Sequence, residues 1–205
     1  MDKQVQLAMA KWPNVPHCYG WLGLDARGQW RMRDQRTQDM GGLGSKISHA
    51  ALCGFINRNY CADQQGCYFF QNGPQRVFVE LQATPYIAHF DPAAGWTLHT
   101  GVALHLCDSV GMTDEGNLIF ESGHYLAQLD DRDLAVAMSQ VCCHGQTAGD
   151  ETILAWLTEA VGHLTFLFDG QHVPIRRVSL IELAASVPFV PSPARLRERA
   201  GTPAP

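Results

Sequence analysis

Apolar residues return along this chain at two spacings, and each spacing predicts a different element. A return every three or four positions is typical of an amphipathic helix, and strict alternation with polar residues is typical of a strand that buries one face. Three stretches have the helical spacing: 46–59, 131–143 and 150–163. Four stretches alternate: 20–33, 67–81, 97–108 and 164–183. The apolar stripe of the third helix includes Ala160 and Val161.

Capping and turn residues lie near the ends of these stretches. Ser45 precedes the first helix and is expected at its N-cap, and Asp130 or Asp131 is expected to cap the second. Asn72-Gly73 separates two alternating runs and predicts a β-hairpin, because both residues tolerate a positive φ. Local chemistry and periodicity therefore agree on the element types.

The two halves of the chain repeat one order of elements. An Asp…Gly turn, a helix and a hairpin occur in the first half and recur in the second, with one extra helix. We therefore predict an α+β fold of two related units, each of small antiparallel hairpins packed on a helix, related by an internal repeat with a groove between them. The predicted divisions are a first unit at 11–108, a second unit at 109–190 and a disordered tail at 191–205.

Composition excludes several classes of protein. The 205 residues are 46% hydrophobic and 17% charged, which is too apolar for a disordered chain. No stretch reaches the roughly 20 apolar residues of a transmembrane helix, so no membrane partner is expected. Lys and Arg total 15 against 20 Asp and Glu, and the net charge of −5 speaks against nucleic acid as a partner.

The N-terminus and the cysteines bear on the compartment. The first ten residues lack the apolar core of a signal peptide, which predicts a cytoplasmic protein. The seven cysteines include no Cys-x-x-Cys pair, so free and mostly buried thiols are expected.

Two clusters could carry metal or acid–base chemistry. His99, His105 and Cys107 fall on one side of the predicted strand 97–108, where neighbours on a face lie about 7 Å apart and could share a metal. A solvent-facing polar edge is the alternative that we favour. The carboxylates of 130–133 could act as an acid–base pair or hold Mg²⁺, but helix capping explains them without chemistry. No catalytic motif occurs, and no cofactor is expected.

Polar residues concentrate around the first helix and hairpin, and aromatic side chains nearby could wall a binding site. An arginine can hold a carboxylate or phosphate through two parallel hydrogen bonds. The alternative is a structural role at turns and helix ends, which we favour. The candidate ligand-binding residues are Trp30, Arg58, Asn59, Tyr68, Gln71, Gln75 and Arg76.

Several strings in the first two thirds of the chain resemble a known family. They are Trp12-Pro13, Gly20-Trp21-Leu22, Phe55-Ile56-x-Arg58-Asn59-Tyr60 and Gln71-Asn72-Gly73-Pro74-Gln75-Arg76-Val77. They are similar to a bacterial family of uncharacterised proteins, known only as a domain of unknown function. The layout also resembles a second uncharacterised bacterial family, which has two repeated α+β motifs and has been linked to signal transduction. Neither resemblance carries a catalytic residue.

These observations favour a non-enzymatic binding or regulatory module, such as a sensor of a small ligand in bacterial signalling. One alternative is a metal-binding protein or enzyme that uses His99, His105 and Cys107. The other is a protein-interaction module whose exposed strands pair with a partner.

Overall fold

The computed structural model describes residues 1–159 and 162–201 and divides the chain into two compact units. Unit 1 comprises Met1–Pro85 and Pro188–Pro205, and unit 2 comprises Tyr86–Val187. These divisions differ from the predicted 11–108 and 109–190 in two ways: the first boundary follows residue 85, and the chain returns to unit 1 after unit 2. Sequence periodicity carries no signal for such a return.

The elements follow in chain order. Up to residue 85 they are α1 (Lys3–Lys11), β1 (Cys18–Leu24), β2 (Trp30–Met32), α2 (Gln35–Asp39), β3 (Ser45–Lys46), α3 (Ala50–Arg58), β4 (Tyr60–Ala62), β5 (Tyr68–Asn72) and β6 (Gln75–Leu81). From 86 to 143 they are β7 (Tyr86–Asp91), β8 (Gly95–Leu98), β9 (Ser109–Met112), β10 (Leu118–Ser122), β11 (Tyr125–Leu129), a 3-10 turn (Asp131–Asp133), α4 (Leu134–Ser139) and β12 (Val141–Cys143). The remainder are β13 (Gln146–Thr147), α5 (Asp150–Glu159), β14 (Leu164–Phe168), β15 (Gln171–Arg177), α6 (Leu180–Ser186) and α7 (Pro193–Arg199).

Unit 1 is built on a six-stranded sheet with the order β3-β2-β1-β6-β5-β4. The β1–β6 pair is parallel and the other pairs are antiparallel. Trp30 and Ile56 are buried, and the Trp30 ring meets the Tyr60 ring edge-on at 5.1 Å. Burial of these large side chains supplies the main stabilisation of the unit.

The C-terminal segment completes unit 1. The Leu81 amide donates to the Pro191 carbonyl at 2.8 Å, and the Val190 amide donates to the Gly66 carbonyl at 2.9 Å. The Glu80 carboxylate accepts hydrogen bonds from the first turn of α7. Residues 193–199 are therefore helical where the sequence predicted a disordered tail from 191, and residues 202–205 lie outside the described residues.

Unit 2 has a nine-stranded sheet with the order β13-β12-β14-β15-β9-β10-β11-β7-β8. The β7–β11 and β9–β15 pairs are parallel. Its core is aromatic: Phe120 lies 5.2 Å from Trp96, 5.2 Å from Phe166 and 6.1 Å from Phe168, measured between ring centroids. The two sheets and several helices confirm a mixed α+β protein. Among the described residues, no helix has the length and apolar character needed to cross a membrane.

The hairpins are where the sequence predicted them. β1 pairs with β2, β5 with β6, and β14 with β15, each as an antiparallel neighbour.

Helix boundaries differ from the prediction in the first half of the chain. The first helix begins at Ala50 rather than 46, and the side chain of His49, not Ser45, accepts the Leu52 amide at 3.2 Å. Ser45 instead belongs to β3, whose backbone pairs with β2. Pairing of Ser45 and Lys46 with β2 therefore outweighs the local capping preference that would have placed these residues at the start of the helix.

In the second half, two predicted elements change type over part of their length. The predicted helix 131–143 is a 3-10 turn followed by the short α4, and its last residues form β12. Asp130 does cap the turn, since its side chain accepts the Arg132 amide at 3.0 Å. The predicted strand 173–183 ends at Arg177, and a capping box of Ser179 and Glu182 begins α6. Helix α5 is confirmed over its described residues, and Ala160 and Val161 lie outside them.

Candidate functional site

An open cleft in unit 1 contains one of the arginines singled out in the sequence. Its volume is about 750 Å³, and its walls include His17, Tyr19, Asp63, Arg76 and Phe78. Strand β6 contributes Arg76 and Phe78, and the parallel strand β1 brings Tyr19 alongside them. We call this cavity the Arg76 cleft.

Arg76 is held by an aromatic ring rather than by a carboxylate. Its guanidinium carbon lies 4.5 Å from the ring centroid of Phe69, which is a cation–π contact. In the described part of the chain, no carboxylate forms an ion pair with Arg76. This half-buried guanidinium shares the cleft with the Asp63 carboxylate but is not at ion-pair distance from it.

The aromatic wall of the cleft is ordered by stacking. The rings of Tyr19 and Phe78 are nearly parallel, at 11° and 4.5 Å between centroids. The edge of His17 meets Phe78 at 5.9 Å, and the Arg197 guanidinium lies 4.6 Å from the Tyr19 centroid. A flat aromatic surface and two guanidinium groups thus lie close together.

Burial and the two arginines lower the pKa of His17 below its ordinary value, because both disfavour a further positive charge. The nearby carboxylate of Asp63 is engaged in its own turn, where it accepts the amides of Gln65 and Cys67 at 2.9 Å. The cleft therefore favours an anion over a cation.

The other candidate ligand residues are engaged in local structure. Arg58 forms an ion pair with Asp2 at 3.3 Å, and this guanidinium lowers the pKa of the Asp2 carboxyl. The Asn59 side chain accepts the Asp2 amide at 2.8 Å. Trp30 donates its indole N–H to Asn57 at 2.7 Å.

Hairpin and loop contacts account for the remaining three. The Gln71 side chain donates to the Gly73 carbonyl at 2.9 Å, and that of Gln75 donates to the Pro16 carbonyl at 3.0 Å. Tyr68 is buried, which raises its pKa to about 12. Of the seven candidates, only Arg76 is among the residues that line the cleft.

The structure does not bring His99, His105 and Cys107 together. The predicted strand 97–108 ends at Leu98, where a tight turn leads into a loop. His99 accepts the Ile87 amide at 3.2 Å, whereas His105 is exposed. Cys107 donates to the Ser109 carbonyl at 3.3 Å. The shared face on which the metal prediction depended is absent from this described segment, because the backbone bends.

Burial, with a smaller contribution from Asp108, raises the pKa of Cys107 to about 12. We expect the folded protein to resist iodoacetamide at Cys107 at pH 8, since the thiolate fraction falls about a thousandfold below that of an ordinary cysteine. Mass spectrometry of the Cys107 peptide measures the modification, and the urea-unfolded chain is the control. Equal rates in the two states would contradict a protected thiol.

A different cluster, in unit 2, escaped sequence reasoning. His89 Nδ1 lies 3.0 Å from Asp130 Oδ2 and 3.7 Å from Asp133 Oδ2. One candidate ligand atom from each residue lies within 4.8 Å of the other two. The sequence marks the acidic run 130–133, but His89 reaches it only through the parallel pairing of β7 with β11. No pattern within either segment of the sequence indicates that β7 and β11 pair.

The fold and the cleft define a mixed α+β protein with an arginine- and aromatic-lined cavity. A family model matches residues 1–194, and the chain belongs to that family, DUF2944, described as "protein of unknown function (DUF2946)". The expected membership of an uncharacterised family is thereby confirmed.

Solved structures and curated proteins add no activity. The chain is similar in structure to a DUF1285 family protein from Silicibacter pomeroyi DSS-3, with 12% identity, a TM-score of 0.49, and coverage of 82% of this chain and 87% of that one. It is also similar to a DUF1285 family protein from Shewanella baltica OS155, with 14% identity, a TM-score of 0.39, and coverage of 57% and 88%. No curated protein matches the chain.

Proposed function

We propose that this protein is a non-enzymatic binding or regulatory module that takes a small organic anion in the Arg76 cleft. The observation that carries the proposal is Arg76 itself. Its guanidinium lines a cavity, packs on Phe69, and has no carboxylate partner in the described ranges.

The chemistry of the walls narrows the class of ligand. A guanidinium binds a carboxylate or phosphate through two parallel hydrogen bonds. Phe78 is buried and stacks on Tyr19, so the partly exposed Tyr19 ring is the aromatic part of the wall that a ligand ring can reach. A ligand that combines an anionic group with an aromatic ring would use both, and phenyl phosphate is a simple probe of that kind.

Arg76→Ala is expected to weaken phenyl phosphate binding by about tenfold or more, because a charge-assisted hydrogen bond is worth roughly 1.5–3 kcal/mol. Thermal shift of the full chain measures it, since a ligand at about 100 times its Kd adds roughly 2.7 kcal/mol to the free energy of unfolding. Arg76→Lys keeps the charge but loses the planar guanidinium, and its affinity for phenyl phosphate should lie between those of wild type and Arg76→Ala.

The matched control is Arg36→Ala, which removes the same charge from the exposed face of α2. It should leave the shift unchanged. Inorganic phosphate and phenol each carry half of the probe's chemistry and should bind more weakly than phenyl phosphate. An equal shift in wild type and Arg76→Ala would overturn the assignment of the cleft.

We also infer an internal repeat from the order of strands. In unit 1 the order is β3-β2-β1-β6-β5-β4, and unit 2 contains β11-β10-β9-β15-β14-β12. Each run has one parallel pair at its centre, β1–β6 in the first and β9–β15 in the second. Helix α3 corresponds to α4 in this scheme, and α5 is the extra helix of the second copy.

A further inference from the structure

We propose that His89, Asp130 and Asp133 in unit 2 form a binding site for a divalent transition-metal ion, and that the Arg132 guanidinium takes the place of the metal when none is bound. The site is independent of the Arg76 cleft, which lies in the other unit.

The backbone brings the three side chains together from two distant segments. His89 lies on β7, and the carboxylates follow β11, its parallel neighbour. The Asp130 amide donates to the Ala88 carbonyl at 2.9 Å, which fixes the turn beside His89. One nitrogen and two carboxylate oxygens then lie within 4.8 Å of one another. Two donors bound to one metal at about 2.0–2.2 Å lie at most about 4.4 Å apart, and the distances of 3.0 Å and 3.7 Å from His89 Nδ1 to the two carboxylates satisfy this limit.

Backbone amides hold both carboxylates in position. The Phe90 amide donates to Asp133 Oδ2 at 3.0 Å, and the Arg132 amide donates to Asp130 Oδ1 at 3.0 Å. Such outer contacts orient metal ligands and limit the rearrangement that binding requires.

The cluster brings together two carboxylates, one imidazole and one guanidinium. Asp130 has no exposed side-chain surface, and a buried carboxylate needs a cation beside it. Arg132 supplies one by bonding to both Asp130 oxygens. Asp133 is a second carboxylate at the same point, so with His89 in the neutral form that binds a metal, a single guanidinium leaves one negative charge. A divalent ion would neutralise both.

Arg132 can leave the site when a metal ion takes its place beside Asp130. Its side chain is 53% exposed, so the guanidinium can turn into solvent without a desolvation cost. The donor set then selects the class of ion. Imidazole nitrogen with two carboxylates suits zinc, manganese or iron(II), whereas magnesium and calcium prefer oxygen ligands alone.

Cobalt(II) titration of the full chain, read by visible absorption, tests the proposal. We expect one equivalent to bind with d–d bands and without the near-ultraviolet thiolate-to-cobalt band that a cysteine site would give. His89→Gln and Asp133→Asn should each weaken binding by about tenfold or more, because each loses a ligand. Asp133→Asn keeps an oxygen to accept the Phe90 amide, and circular dichroism confirms that each variant is folded. The matched controls are His172→Gln and Asp169→Asn on the β14–β15 hairpin.

Arg132→Gln separates a metal site from a purely structural ion pair. We expect this variant to bind cobalt about fivefold more tightly than wild type, since the competing half-exposed cation is gone. Its Tm without metal should be lower than that of wild type, and cobalt should raise it more. A thiolate spectrum, binding that ignores His89→Gln and Asp133→Asn, or weaker binding by Arg132→Gln would each overturn the proposal. Arg76→Ala should bind cobalt as wild type does, so this result stands apart from that of the anion cleft.

Discussion

Phe120→Ala is expected to lower the free energy of unfolding of unit 2 by about 3–5 kcal/mol. Phe120 has no exposed surface, and its ring contacts those of Trp96, Phe166 and Phe168. Truncation removes buried apolar area and leaves a cavity, because the three neighbouring rings are anchored on two strands, β8 and β14, and cannot all close around the gap.

Urea unfolding followed by near-ultraviolet circular dichroism measures the loss for Phe120→Ala. Leu167→Ala is the control, since Leu167 lies on β14 between Phe166 and Phe168 but is 37% exposed. The control should cost about 1 kcal/mol or less. Similar costs for the two variants would show that the aromatic cluster is not the core of unit 2.

Gly66→Ala is expected to destabilise unit 1 by about 3 kcal/mol, through backbone strain and a steric clash together. Gly66 has a φ of +78°, and an added Cβ would lie 2.5 Å from the Pro188 carbonyl oxygen. That oxygen belongs to the returning segment, whose Val190 amide bonds to Gly66. The methyl group therefore pushes the C-terminal segment off the sheet.

Gly116→Ala separates the two causes. Its φ of +82° is almost the same, but nothing lies within 4 Å of an added Cβ. It should cost only the strain, about 1 kcal/mol. Chemical denaturation of both variants gives the comparison. A cost for Gly66→Ala no larger than for Gly116→Ala would show that the contact with Pro188 is unimportant.

Local sequence patterns were enough to find the hairpins. Alternation around Asn72-Gly73 specifies both the strands and the turn, because side-chain faces and turn conformation are decided within a few residues. Arg76 was recognised because it belongs to the group of polar residues concentrated around the first helix and hairpin.

The failures share a physical cause, which is interaction between distant segments. In 97–108 the alternation of apolar and polar residues continues past Gly101, although the backbone bends there and the Leu98 amide donates to the Val102 carbonyl. The pattern therefore does not show that the strand ends. Ser45 was predicted as a helix cap from its local sequence, but it lies in β3, which pairs with the distant strand β2. His89 joins Asp130 only through a parallel strand pair, and periodicity within one segment carries no information about its partner.

The return of the chain to unit 1 has a consequence for biosynthesis. Ribosomes synthesise a protein from the N-terminus to the C-terminus, so all of unit 2 is translated before the segment that completes unit 1. Until Pro191 and Ser192 emerge, the Leu81 amide and the Glu80 carboxylate lack the partners that they have in the finished fold. Unit 1, although it begins first, is thus the last part of this protein to reach its final form.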